Sequence, residues 1–323
     1  MSCCLRASRA QNHFAVFNAF DKRKRILVRL VGVFIAATVL AVFAAWVAGS
    51  MLIGPSHQHV GDLPADLGGQ PVEIPSSSGA MLRGWLVSPA RSGGLEVRVA
   101  GPRAVVLMHG LRANRLAMLD RARFLAAAGY AVLLFDFQAH GESTGDTITF
   151  GYLESKDARA AVDFVRLKYP NGPIGVIGVS MGGAAALLAS PKLDIDAMVL
   201  EEVYPDIKSA IADRFQMALG GWGRTLTPLL TLQMKPRLGV GADQMRPIER
   251  ISQIPLPKLI IAGSEDRHTT LEESRALFDA APEPKQLWVV QGASHTDMCS
   301  FAPAEYRDRI LEFFAVTLAT HPR

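Results

Sequence analysis

Cysteine is scarce in this sequence, and its scarcity excludes one class of protein at once. Only three cysteines are present among 323 residues, at Cys3, Cys4 and Cys299. Two of them precede a long apolar segment and the third lies near the other end of the chain, so no disulfide framework is expected. The chain must therefore rely on a packed core, for which its length is sufficient.

A surplus of charge is also missing once the first residues are set aside. Residues 1–29 carry seven Lys or Arg against one Asp, and the whole chain has 34 basic and 30 acidic residues. This leaves 27 basic and 29 acidic residues in 30–323. Nucleic-acid-binding domains need a basic surface, so we expect no nucleic-acid partner.

Metal-binding spacings, internal repeats and low-complexity tracts are absent from the sequence as well. No pair of His, Cys, Asp or Glu has the spacing typical of a metal site. We therefore expect neither a metal nor an organic cofactor.

What the chain does have is an uncharged apolar run over residues 30–49, directly after a basic cluster. About twenty such residues can cross a bilayer as a helix, and the positive-inside bias leaves the basic end in the cytoplasm. A cleaved signal peptide is the alternative, although the run is longer than a usual signal core. We predict a cytoplasmic tail at 1–29, a transmembrane anchor at 30–50, a linker at 51–70 and a folded extracytoplasmic domain at 71–318.

The most informative stretch is IGVIGVSMGG at residues 174–183. An apolar strand, a G-x-S-x-G motif around Ser180 and a helix of small residues follow one another. A sharp strand-to-helix turn of this kind holds a serine hydroxyl exposed beside a base and beside N–H donors. The sequence therefore predicts that Ser180 is a nucleophile.

Strands alternate with helices on both sides of this stretch. Mostly apolar strands are predicted at 103–108, 130–135, 197–200 and 257–262, with amphipathic helices between them. This alternation is typical of an α/β fold with a mostly parallel sheet covered by helices on both faces. The segment from about 204 to 250 is too long for a simple crossover, and we interpret it as a small lid whose apolar residues either line an acyl pocket or only pack on the body.

A serine nucleophile needs a base, and the base needs an orienting carboxylate. Among the eight histidines, His295 follows the last predicted strand in a Gly-Ala-Ser-His loop, and Asp266 follows the strand before it. The alternatives are that Asp266 caps a helix while Glu265 or Glu201 supplies the acid, and that His295 is a solvated loop residue.

These positions resemble the α/β-hydrolase family over about residues 70–318. The resemblance lies in His109-Gly110 after a buried strand, in the G-x-S-x-G motif, in GSED at 263–266 and in GASH at 292–295. The closest likeness is to monoacylglycerol lipases, serine aminopeptidases and membrane-anchored acyl-thioesterases. DFQAHGES at 136–143 resembles the D-x-R-G-H-G-x-S segment of these enzymes, with Gln138 in place of Arg and Ala139 in place of Gly, and we interpret it as scaffold.

The resemblance implies a role for each matching residue. Ser180 is expected to be the nucleophile, His295 the general base and Asp266 the carboxylate that orients the imidazole. The backbone N–H groups of Leu111 and Met181 are expected to bind the oxyanion.

The expected function is hydrolysis of a small-molecule or lipid-like carboxylic ester by a membrane-anchored, cofactor-free serine hydrolase. Peptidase, amidase or thioesterase activity on the same triad remains open, as does a non-catalytic member of the family that only binds. The presence of all three triad residues in the family's order argues against the last.

Overall fold

The structure is a computed structural model that describes residues 4–89 and 103–319, with side chains from Lys24 onward. The chain divides between Met51 and Leu52 into two compact units. The first unit consists of most of helix α1 (Cys4–Ile53). Among the described residues, one helical segment, Lys24–Ile53, is apolar and long enough to cross a membrane, with a mean hydropathy of 2.6 over its most apolar window. The side chains of the predicted tail before Lys24 lie outside the described part of the chain.

The second unit is built on an eight-stranded sheet and a separate two-stranded pair. The order in the large sheet is β10-β9-β8-β7-β4-β5-β3-β2, and only the pairings of β3 with β2 and with β5 are antiparallel. The strands are β1 (Ser56–His57), β2 (Gly69–Pro75), β3 (Met81–Val87), β4 (Ala104–Met108), β5 (Ala131–Phe135), β6 (His140–Gly141), β7 (Ile174–Val179), β8 (Ala197–Glu201), β9 (Lys258–Gly263) and β10 (Lys285–Val290).

Helices connect the parallel strands and cover the sheet. They are α2 (Leu119–Ala127), α3 (Glu154–Lys168), α4 (Met181–Leu188), α5 (Ile207–Leu219), α6 (Thr227–Leu238), α7 (Pro247–Ile251), α8 (Leu271–Ala280), α9 (Met298–Phe301) and α10 (Pro303–Thr317). Three 3₁₀ turns complete the described elements, at Arg115–Met118, Gly221–Leu226 and Ala242–Gln244.

The core consists of two apolar layers, one on each face of the sheet. Successive strand residues point to opposite faces, so Val106 of β4 belongs to the layer that contains α3 and α4, while Leu107 belongs to the layer that contains α2 and α10. Because both faces are covered, the central strands are mostly apolar, and β4, β5 and β8 are buried throughout. The predicted α/β fold, with a mostly parallel sheet and helices on both faces, is confirmed.

The strand order places one natural site at the carboxyl edge of the sheet. After β4 the chain runs to one side through β5, and the later strands β7 to β10 lie on the other side. In such sheets ligands bind where the direction of winding changes, outside the carboxyl ends of the strands. Met108 and Gly178 are partners in the β4–β7 register, so the loop after β4 and the turn after β7 are neighbours.

The stretch predicted as a linker makes ordered contacts with the domain. Ser56 and His57 form β1, which pairs in parallel with β6. The predicted boundaries of the linker, at 51–70, and of the lid, at about 204–250, stay predictions. Between β8 and β9 the chain forms α5, α6, α7 and two of the 3₁₀ turns.

Candidate active site

Ser180 occupies a strained turn between β7 and α4. Its φ of 49° and ψ of −111° lie outside the regions favoured by residues with a side chain. Two glycines make the turn possible: a Cβ on Gly178 would lie 2.6 Å from the Gly183 Cα, and one on Gly182 would overlap the Met108 carbonyl oxygen. The G-x-S-x-G spacing is thus required by close backbone packing at the end of β7.

The serine is more enclosed than the sequence suggested. We expected an exposed hydroxyl, but only 7% of Ser180 is accessible to solvent. The loop after β4 passes beside it, since a Cβ on Gly110 would lie 3.8 Å from the Ser180 Cβ. The Ser180 N–H also donates a 2.7 Å hydrogen bond to the Glu201 carbonyl at the end of β8. The turn is therefore fixed from two neighbouring strands.

His295 and Asp266, which lie in the loops after β10 and β9, meet directly. The His295 Nδ1 is 2.7 Å from the Asp266 Oδ2. The other carboxylate oxygen accepts the N–H groups of His268 at 2.7 Å and Thr269 at 3.0 Å. These bonds fix the carboxylate, which in turn fixes the plane and tautomer of the imidazole.

The alternative candidates for the acid are occupied elsewhere or exposed. Helix α8 is capped by Thr270 and not by Asp266. Glu265 is exposed. Glu201 is buried and accepts hydrogen bonds from Arg121 at 2.7 Å and from the Tyr306 hydroxyl.

The two predicted oxyanion donors flank the serine. Met181 is the first residue of α4, so its N–H has no acceptor within the helix. Leu111 lies in the loop after β4, in a turn closed by a 3.3 Å hydrogen bond from the Ala113 N–H to the Gly110 carbonyl. Among the described residues, neither amide donates a hydrogen bond to the protein. Both donors are therefore free to bind an anionic oxygen.

Two buried histidines shape this loop. The His109 Nε2 accepts the Phe137 N–H at 3.0 Å, so its Nδ1 carries the proton and donates to the Gly110 carbonyl at 2.7 Å. Likewise the His140 Nε2 accepts the Arg112 N–H at 3.1 Å. Burial lowers the pKa of His109 to about 3. Both rings act as neutral hydrogen-bonding partners of the backbone.

The segment 136–143 contacts the chain that follows β4. Asp136 is fully buried and forms an ion pair with Arg115, whose N–H it also accepts at 2.7 Å. Ser143 donates to the Asp136 carbonyl at 2.6 Å. Gln138, which departs from the family pattern, donates to the carboxylate of Glu154 at 3.1 Å. These contacts explain why the departure is compatible with the fold.

Sequence reasoning did not predict that Glu202 lies beside His295. One carboxylate oxygen lies 3.8 Å from the His295 Nδ1, and the other accepts the Thr296 N–H at 3.1 Å. Burial, and then the charge of Asp266, raise the pKa of Glu202 to about 9. Its position directly after β8, like that of Asp266 after β9, was the available signal.

Glu202, Asp266 and His295 also form the one group of possible metal ligands among the described residues. One ligand atom from each lies within 4.8 Å of the others. A cation there would have to displace the hydrogen bond between the imidazole and Asp266. The donor set therefore fits a proton-transfer pair better than a metal centre.

The segment between β8 and β9 reaches the site through α5. Arg214 of this helix donates a 3.2 Å hydrogen bond to the His268 carbonyl, and the His268 ring lies 5.0 Å from the His295 ring. Several large apolar side chains of the segment are exposed, including Trp222 and Leu232. The predicted lid thus contacts the loop that carries Asp266.

Comparison with known proteins gives consistent results. Residues 101–244 match a family model described as serine aminopeptidase, S33. An uncharacterized protein of Mycobacterium tuberculosis, Rv2307c, is 30% identical over 246 residues, which are 76% of this chain and 77% of the relative. The uncharacterized protein YqkD of Bacillus subtilis is 27% identical over 246 residues, 74% of this chain and 77% of the relative. The structure of the Pyrococcus furiosus esterase Pf2001 is similar, with a TM-score of 0.66, 25% identity, and coverage of 83% of this chain and 99% of the esterase.

Proposed function

Because the chain belongs to the α/β-hydrolase family of serine hydrolases, we propose that it cleaves carboxylic esters through an acyl-serine intermediate. Ser180 is the proposed nucleophile, His295 the general base and Asp266 the orienting carboxylate. The amides of Leu111 and Met181 are the proposed oxyanion donors.

The observation that carries this proposal is the 2.7 Å hydrogen bond between His295 and Asp266 at the same sheet edge as the strained Ser180 turn. The end of β8 contacts both parts of the site. The Glu201 carbonyl accepts the Ser180 N–H, and the Glu202 carboxyl accepts the N–H of Thr296, the residue after His295. A protein that only binds a ligand would not require a serine in a strained turn, an imidazole oriented by a carboxylate and two amides without acceptors.

Acylation follows from these positions. The Ser180 Oγ attacks the ester carbonyl carbon while the His295 Nε2 removes the hydroxyl proton. Asp266 stabilises the imidazolium that forms, and the Leu111 and Met181 amides bind the negative oxygen of the tetrahedral intermediate. Each such donor is typically worth about 3 kcal/mol. The intermediate collapses when His295 returns the proton to the departing alcohol.

Deacylation repeats the sequence with water. His295 removes a proton from the water as it attacks the acyl-Ser180 carbonyl, and the same two amides bind the second oxyanion. Collapse releases the carboxylic acid, and the proton returns from His295 to the Ser180 oxygen.

The carboxylates near the site favour an ester over the free N-terminal amine of an aminopeptidase substrate. Such a substrate needs an unpaired carboxylate for its ammonium group. Glu201 is paired with Arg121, and Asp206 caps α5 by accepting the Ser209 N–H at 3.0 Å. Glu202, with its raised pKa, is protonated at neutral pH. None of these three is a free carboxylate facing a pocket.

We expect kcat/KM for p-nitrophenyl esters to rise from acetyl to butyryl. Each additional buried CH₂ contributes about 0.8 kcal/mol, or roughly fourfold, when it enters an apolar acyl pocket. The measurement is a series of p-nitrophenyl acetate, propionate and butyrate at one pH, with aminoacyl p-nitroanilides as the matched amide substrates. Activity that is flat or falls along the series, or faster turnover of an aminoacyl anilide, would favour the peptidase or amidase alternative.

We also propose that Lys24–Ile53 is a retained membrane anchor, with the N-terminus in the cytoplasm and the catalytic domain on the other side. The length and apolar composition of this helix support it. The basic residues before the apolar run support the orientation.

A reporter that is active only outside the cytoplasm, fused after Arg323, should be active in cells. The physical reason is that a basic flank resists translocation while the chain after the anchor is carried across. A cytoplasm-active reporter at the same position is the control. An expressed fusion whose external reporter is silent would reverse the proposed orientation or remove the membrane topology altogether.

A further inference from the structure

Residues Leu52–Gln58, here called the strap, join two loops next to the site. The Ser56 N–H donates to the Ala139 carbonyl at 2.7 Å and the Gln58 N–H to the Gly141 carbonyl at 3.0 Å. The Ile53 carbonyl accepts the Ile148 N–H at 2.8 Å. The strap is therefore an ordered part of the domain, and its first two residues, Leu52 and Ile53, are the last two of α1.

The strap also holds the loop that carries Leu111, and it does so through Arg112. The Arg112 Nη2 donates to the Leu52 carbonyl at 3.1 Å and to the Gly54 carbonyl at 3.4 Å. In return, the Ser56 hydroxyl donates to the Arg112 carbonyl at 3.4 Å. Both the side chain and the backbone of Arg112 are thus tied to the same short segment.

Arg112 needs such restraint because of its backbone conformation. Its φ is +58°, and it is the third residue of the turn from Gly110 to Ala113, where a positive φ favours glycine. An arginine there pays a conformational cost that surrounding contacts must offset. Such contacts include those with the strap and the hydrogen bond from the Arg112 N–H to His140.

The restraint of this turn affects how the proposed oxyanion donor Leu111 is oriented. Leu111 is the second residue of the same turn, so its N–H direction depends on how firmly the turn is held. A donor displaced by about 1 Å from the developing charge can cost on the order of a hundredfold in rate. An arginine that holds the turn from outside the substrate pocket would act on the transition state more than on substrate binding.

We propose that Arg112 is a positioning residue for the Leu111 oxyanion donor, and that the strap holds Arg112 in place through Leu52, Gly54 and Ser56. This inference rests on the proposed hydrolase function. It means that the residues at the end of the apolar helix and just after it are part of the support of the active site. Removal of the helix by cleavage near residue 50 would leave the strap intact.

The test uses the full-length protein in detergent with p-nitrophenyl butyrate. We expect Arg112→Gln and Arg112→Gly to lower kcat by roughly 10- to 100-fold, with KM within about twofold and Tm within about 2 °C of the wild type. Glycine adopts the positive φ without cost, so Arg112→Gly isolates the loss of the guanidinium group. Arg112→Lys, whose longer side chain keeps a charged donor for the strap carbonyls, should recover part of the loss seen in Arg112→Gln. The matched control is Arg83→Gln, which removes a half-buried arginine of β3 that pairs with Glu73 of β2 and should leave kcat unchanged.

A second readout separates positioning from general destabilisation. Butyl trifluoromethyl ketone forms an adduct with the nucleophile whose oxygen is an oxyanion, so its Kd should rise in the Arg112 variants by the same factor as kcat/KM falls. Wild-type kcat and inhibitor affinity in both Arg112→Gly and Arg112→Gln would overturn the proposal. If, in that case, Ser180→Ala also remains active, the proposed serine hydrolase mechanism is wrong. If Ser180→Ala is inactive, only the proposed role of Arg112 and the strap is wrong.

Discussion

Ser180→Ala should lower kcat for p-nitrophenyl butyrate by at least about 10⁴-fold. The substitution removes the oxygen that would form the acyl intermediate and leaves the oxyanion donors in place. Thermal unfolding should change little, because in this turn the backbone N–H of Ser180, which alanine retains, makes the hydrogen bond to Glu201. The measurements are initial rates, labelling by a fluorophosphonate, and Tm.

A matched control removes a buried serine hydroxyl outside the site. Ser274 on α8 is 2% exposed, and Ser274→Ala should retain wild-type rates and labelling. Turnover of Ser180→Ala within tenfold of the wild type would show that another group is the nucleophile. An inactive wild type that is not labelled by the fluorophosphonate would instead favour a protein that binds without catalysis.

Asp266→Asn should lower kcat at pH 7 by about 10⁴-fold, whereas Glu202→Gln should change it by less than about threefold. The difference follows from the hydrogen bonds of the two carboxyl groups. Asp266 accepts the His295 Nδ1–H at 2.7 Å, and an amide in its place no longer stabilises the imidazolium or the productive tautomer. Glu202 has a raised pKa of about 9 and is therefore neutral at pH 7, and glutamine is its uncharged isostere.

The glutamine variant also keeps the contact that Glu202 makes with the histidine loop. Its amide oxygen can still accept the Thr296 N–H, which lies 3.1 Å from the glutamate oxygen. Rates and Tm of the two single variants and of the double variant decide the assignment. A large loss in Glu202→Gln together with a small loss in Asp266→Asn would make Glu202 the orienting acid.

Much of the fold could be predicted because hydrophobic periodicity is a local property. A strand covered on both faces is mostly apolar, and the predicted strand at 103–108 corresponds to β4. The predicted strands at 130–135 and 197–200 likewise correspond to β5 and β8. The candidate serine could be identified for the same reason, since the glycines that the turn requires lie within two residues of it.

Local patterns could not decide which polar side chains share a site. Glu201 is the last residue of β8, and Glu202 is the residue after it. Glu201 accepts a hydrogen bond from Arg121, whereas Glu202, which has a positive φ of 53° just after the strand, lies beside His295. Their different partners depend on α2 and on the loop after β10, which are distant in sequence.

The sequence by itself determined the class of chemistry, because G-x-S-x-G, the later acid and the last histidine each follow a strand whose carboxyl end must reach the same sheet edge. Only the tertiary structure decided how that edge is supported. The Arg112 side chain reaches Leu52, sixty residues earlier in the chain, and its positive φ is maintained by that contact and by His140. A hydrogen bond across such a separation leaves no periodic trace in the sequence, since its energy depends on distance and direction in the folded chain.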